Sequence, residues 1–144
     1  MSRILLLTFV FLVATPVFAQ VQEDDVVGIW VTDDGKANVE IYKKGAKFYG
    51  KIIWLKEPNE EDGTPKLDDE NPDKELQSKP ILGLNMLSGF VFKGDEWVDG
   101  KIYDPETGKT YSCYMEFKGV DRLKIRGYIG FSLLGETTYW TRKQ

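Results

Sequence analysis

The chain predicts an all-β fold, an antiparallel barrel of about eight or nine strands with one short helical turn. Three observations predict it. Short runs alternate apolar and polar residues at period two, turns rich in Gly, Asp or Pro separate most of them, and almost no stretch between them carries a helical period. Closing such a sheet removes the unpaired edges that an open one would expose. Across 144 residues, 42% hydrophobic and 13% aromatic content supplies the core of one domain.

Residues 1–19 read apart from the rest. A basic Arg3, an apolar run over 4–14, Pro16, and Val17-Phe18-Ala19 before Gln20 form the pattern of a signal peptide cut near Ala19. Residues 20–144 are then a single β-barrel domain, periplasmic or secreted. The apolar run is too short to span a bilayer, and no second one follows, so the mature chain has no predicted transmembrane segment. The lone cysteine, Cys113, lies far from the cut and offers neither a lipid attachment point there nor an intramolecular disulfide. Cys113 alternates with apolar residues and reads as packing. Loss of Arg3 with the leader leaves 18 basic against 23 acidic side chains, a formal charge of −5. That charge, with no lysine-rich cluster, argues against nucleic acid as a partner.

After a polar segment over 20–25, the first strand is Val26-Val27-Gly28-Ile29-Trp30-Val31-Thr32, and Asp34-Gly35 makes a hairpin turn behind it. Residues 37–43 place Val39 and Ile41 on one face. After Lys44-Gly45, residues 47–56 place Phe48, Gly50, Ile52 and Trp54 on one face. The segment 57–75 breaks the pattern with nine acidic side chains, two lysines and three prolines, and reads as a solvated lid or binding loop. Asn71-Pro72-Asp73 has the form of a helix start, which puts the short helical turn at 72–78, before Pro80. The apolar run 80–87 reads as an extended or partly helical plug.

A short strand over 88–92 turns at Gly94 into 96–104. There the charged members of the Trp97, Asp99, Lys101 and Tyr103 set mark that face as outward, leaving Val98, Gly100 and Ile102 inward. Asp104-Pro105 to Gly108 is a strong turn signal. Residues 110–118 then face Tyr111, Cys113, Met115 and Phe117 inward, and 122–130 do the same with Leu123, Ile125, Gly127 and Ile129. Residues 131–135 form a loop with Phe131 and Leu133-Leu134 exposed or re-entrant, and the last strand ends at Arg142.

Gly28-x-Trp30 opening the first strand, with Trp140 and Arg142 ending the last, resembles the lipocalin arrangement in which an arginine lies across a tryptophan at the closed end. Further segments agree in order and spacing: Gly50-Lys51-Ile52, Pro80-Ile81-Leu82-Gly83-Leu84, Ile102-Tyr103-Asp104-Pro105, Gly108-Lys109-Thr110-Tyr111, and Arg126-Gly127-Tyr128 followed by Trp140. Together they resemble the exported bacterial family called domain of unknown function 2147. The resemblance implies a lipocalin-like barrel and brings no activity and no catalytic residue.

The chain has no histidine, which removes the commonest general base and zinc ligand. No phosphate loop, Cys-x-x-Cys or nucleophile elbow is present, so neither an enzyme nor a cofactor is expected. The acids of 57–75 match no EF-hand spacing, and no metal site is assigned. The expected function is non-covalent binding of a small apolar or amphipathic molecule by Phe48, Trp54, Ile102, Tyr111, Met115 and Ile125, with Gly50 and Gly127 leaving room. Arg126 points outward on simple alternation, and a bulge could turn it in to meet an acidic head group. Gly28, Trp30, Trp140 and Arg142 are expected to close the barrel. The competing reading is a filled barrel, structural or protein-binding, that meets another envelope protein through its loops. A barrel of about eight strands permits either.

Overall fold

A computed structural model describes residues 12–16, 19–130 and 134–144. The expectations for most of the leader and for Phe131 and Leu133 lie outside the described residues. Eight strands close into one antiparallel barrel in sequence order. They are β1 (Gly28–Val31), β2 (Ala37–Lys44), β3 (Lys47–Leu55), β4 (Asn85–Lys93), β5 (Glu96–Asp104), β6 (Lys109–Phe117), β7 (Arg122–Tyr128) and β8 (Gly135–Arg142). Closure comes from β1 pairing with β8, Trp30 opposite Arg142 and Val31 opposite Thr141. No helix among the described residues is long and apolar enough to cross a membrane.

The inner face follows the alternation read from sequence along β2, β6 and β7: Val39, Ile41, Cys113, Met115, Leu123 and Ile125 are all buried. Two strands depart from it, each at a bulge. In β3, Asn38 pairs with Trp54 but Val39 pairs with Ile52, so Ile53 is an extra residue. Beyond it the side-chain phase reverses, Leu55 packs against the core, and Trp54 is 45% exposed. In β5, Trp97 pairs with Met115 and Gly100 with Cys113, again one residue too many, and Asp99 takes up the irregularity at φ 58°. Trp97 is therefore fully buried, where unbroken alternation had placed it outside. A bulge preserves pairing on both sides while shifting the period-two phase by one.

The expected helical turn at 72–78 is a run of turns with i→i−3 bonds, Leu76 N–H to the Asp73 carbonyl and Lys79 N–H to that of Leu76 (both 3.0 Å). The regular helical turn lies instead at Glu23–Val26, a 3-10 turn that stoppers one end of the barrel with Val26. Two buried tryptophans bind it. Trp30 Nε1 donates to the Val26 carbonyl (2.9 Å) and Trp97 Nε1 to that of Glu23 (3.1 Å).

The segment 57–84 is a folded strap. Leu67 and Pro80 bridge as antiparallel partners, and Asp68 N–H donates to the Lys79 carbonyl (2.8 Å). Ile52 exchanges backbone bonds with Leu84 and Gly83, which carries the β3–β4 pairing beyond the end of β4. Ile81 and Leu84 pack against the barrel core.

Candidate functional site at the two ends of the barrel

At the end stoppered by the 3-10 turn, Arg142 lies with Cζ 4.3 Å from the centre of the Trp30 ring. Its Nη2 donates to the Asp25 carbonyl (2.6 Å) and its Nη1 to that of Val27 (3.2 Å), while Nε lies 3.4 Å from Asp121 Oδ1. The guanidinium fork thus joins β8, the N-terminal segment and the β6–β7 turn. Gly28 makes room for it: at φ 145° a Cβ would sit 2.9 Å from Arg142 Nη1. Trp140 is buried in the same core, opposite Leu123 on β7.

The residues expected to line a lumen are spread from the stoppered end to the other, and several are packed in the core. Phe48 packs edge-on to Trp97 near the stoppered end, and Met115 is cross-strand from both Trp97 and Ile125, all of them buried. Ile102 and Tyr111 face each other across β5 and β6 towards the other end, half-buried. Trp54 faces outward for the reason given above. Arg126 stays in register between Tyr114 and Thr137 and bonds the Thr137 hydroxyl (2.9 Å) on the outside, so no bulge turns it inward.

The room expected over the inward glycines is occupied. A Cβ on Gly50 would lie 2.8 Å from Leu87, one on Gly127 would lie 3.3 Å from Ile102, and one on Gly100 would strike the Phe90 ring. Each glycine accommodates a large side chain from another strand. At these positions the space that looks vacant along one strand is taken by side chains of other strands.

At the open end the strap is held by a buried carboxylate. Asp68 is fully buried and accepts from the Tyr103 hydroxyl on β5 (2.6 Å) and from Asn71 Nδ2 (2.7 Å). Burial, then the bond to Asp68 and its charge, hold the Tyr103 phenol well above its usual range, so it keeps its donor proton. The tip of the β5–β6 hairpin sits beneath the strap, with Gly108, at φ 70°, so close to the Glu70 carbonyl that a Cβ could not fit. Removing the phenol oxygen with Tyr103→Phe should cost about 1.5 kcal/mol, the low end for a bond to a charged group. Limited proteolysis would show new cuts within 57–84 before global unfolding, and an unchanged cutting pattern would refute the latch.

Above this latch the strap encloses an open, mainly apolar concavity of about 330 Å³, lined by Asp68, Leu76, Lys79, Pro80, Leu82, Gly83 and Leu84. Pro80, Leu82, Gly83 and Leu84 belong to the apolar run that reads as a plug, whereas Asp68 belongs to the acidic segment that reads as solvated and is instead buried. The signals available were the apolar run 80–87 and the strong turn at Pro105 to Gly108. Pairing of 66–68 with 79–81 had no period long enough to be seen.

Residues 28–142 match the family described as "Uncharacterized protein conserved in bacteria (DUF2147)". The chain belongs to that family. Among solved structures, protein HP1028 from Helicobacter pylori, described as belonging to the lipocalin family, is similar with a TM-score of 0.72. It is 24% identical, over 86% of this chain and 84% of that one, so the likeness establishes the fold. A comparison with curated proteins found no match.

The outer wall of this family member carries a charged network on β5, β6 and β7. Glu96, Glu116 and Lys124 are cross-strand neighbours, and Lys118 and Lys124 each lie 3.0 Å from Glu116 Oε1. Burial alone would raise the Glu116 carboxyl, but bonds from Lys118 and Lys124 outweigh it and bring it down to about 2. Burial and the neighbouring Glu116 raise Glu96. A depressed carboxyl stabilises the fold above its unfolded value and loses that contribution as pH falls towards the folded one. Glu116→Gln should therefore flatten the fall in melting temperature between about pH 5 and pH 2. Parallel acid limbs for the two proteins would refute it. Cys113 is inert by comparison, because burial pushes its thiol up to about 12.

Proposed function

We propose that the protein is exported to the periplasm or beyond, is not an enzyme, and works as an interaction module of the cell envelope through the loops at its open end. The observation that carries this reading is the filling of Gly50, Gly100 and Gly127 by Leu87, Phe90 and Ile102, which leaves the lumen to the barrel's own side chains. The absence of histidine and the buried, unreactive Cys113 support a non-enzymatic role. The basic and apolar pattern of residues 1–19 supports export.

A second reading is favoured by the concavity itself. At about 330 Å³ it falls at the low end of small-molecule sites, and the lipocalin-like fold suits a small apolar or amphipathic ligand held non-covalently. Native mass spectrometry of protein released gently from its own cells separates the two. The first reading expects bare barrel or barrel bound to another protein. A stoichiometric lipid-sized adduct would overturn it, in favour of a ligand in the concavity if Leu82→Asp abolishes the adduct and of one in the lumen if the adduct survives that substitution. N-terminal sequencing of the same sample should begin near Gln20, and a cytoplasmic chain beginning at Met1 would overturn export.

A further inference from the structure

The apolar concavity sits within the most acidic stretch of the chain. Segment 57–84 holds nine acidic side chains against three lysines, a formal −6 in a chain of net −4, so the remainder is net positive. Within it, Leu76 and Leu82 are 42% and 46% exposed and share the concavity with Pro80 and Leu84. Leu67, the bridge partner of Pro80, extends the apolar surface. Glu75 flanks Leu76 in the chain, Asp69 and Glu70 follow the buried Asp68, and all three are exposed. Lys79 is the one cation on the lining.

From this charge complementarity, and resting on the reading of the open end as the working surface, the geometry points to one occupant: a basic segment of a partner protein that seats an apolar side chain between Leu76 and Leu82. The strap is preformed for this. The Asp68–Tyr103 bond, the Leu67–Pro80 bridge and the Gly108 contact hold it in place, so docking does not spend free energy ordering it. A central apolar anchor with a charged surround is the form that concentrates binding energy and sets the encounter rate.

The test uses three short synthetic peptides, alternating Leu with Lys, Leu with Glu, and Ser with Lys, titrated into the purified protein by fluorescence anisotropy. The Leu/Lys peptide should bind, weaken as salt rises, and lose about tenfold or more in affinity with Leu82→Asp. That variant adds negative charge, so a loss isolates the apolar anchor. Val91→Asp, on the outer wall of β4, should change nothing. Equal binding of the Leu/Glu peptide, or full binding by Leu82→Asp, overturns the assignment.

A photo-crosslinking residue at position 82 or 91 in the native cells separates this inference from the reading beneath it. Products at 82 with a protein carrying a basic segment support both. Products at 82 with a partner lacking one overturn the basic class and leave the open end as the working surface. Products only at 91, or at neither position, overturn both.

Discussion

Trp30→Ala is expected to lower the free energy of unfolding by about 3–5 kcal/mol, the range for removing a large buried aromatic. Trp30 is fully buried, and three interactions depend on its ring besides the packing. Its indole N–H satisfies the Val26 carbonyl, its face receives Arg142, and Phe117 lies 5.9 Å away, centroid to centroid. The alanine leaves a cavity beneath the 3-10 turn, an unpaired carbonyl and a guanidinium without its aromatic platform, the last worth about 0.5–2 kcal/mol. Urea unfolding followed by far-ultraviolet circular dichroism measures the loss. Binding at the open end should be unchanged in the folded fraction, because the damage lies at the stoppered end. A loss below about 1 kcal/mol would mean that the N-terminal turn does not depend on this residue.

Met115→Trp should destabilise by about 1–3 kcal/mol by overpacking. Met115 has no exposed surface, with Trp97 and Ile125 as its neighbours on the adjoining strands. The larger ring has nowhere to go without shifting the Phe48, Phe92 and Phe117 rings that surround Trp97. In a ligand-carrying lumen the same substitution would fill the site, abolish uptake and cost little stability. Equilibrium denaturation of the purified variant distinguishes the two, and a midpoint equal to wild type would argue for empty space beside Met115.

Much of the architecture was legible because period two survives wherever pairing is regular. Val39 and Ile41, Cys113 and Met115, and Leu123 and Ile125 all fall inside, as their alternation predicts. Trp54 and Trp97 were misassigned for one shared reason. A bulge adds a residue without a composition signal strong enough to show it, and every side chain beyond it changes face. Asp99 at positive φ marks the β5 bulge, yet aspartate is equally ordinary in a strand turned to solvent. The internal fold of the strap was not legible because its acids dominate its composition, while the contacts that fold it are a few long-range bonds made by Asp68, Tyr103 and the backbone of 66–68 and 79–81.

By itself the sequence determined the all-β class and the hairpin order of the strands, because turn chemistry and alternation are local properties of the chain, while the meeting of Gly28 and Trp30 with Arg142 was implied only by the resemblance to lipocalins. Only the tertiary structure decided what packs over the inward glycines and where the apolar surface of the strap emerged. A glycine shows that a side chain is missing at one position. What packs there is Leu87 or Phe90 from β4, or Ile102 from β5, and that placement depends on register and closure that no single stretch encodes.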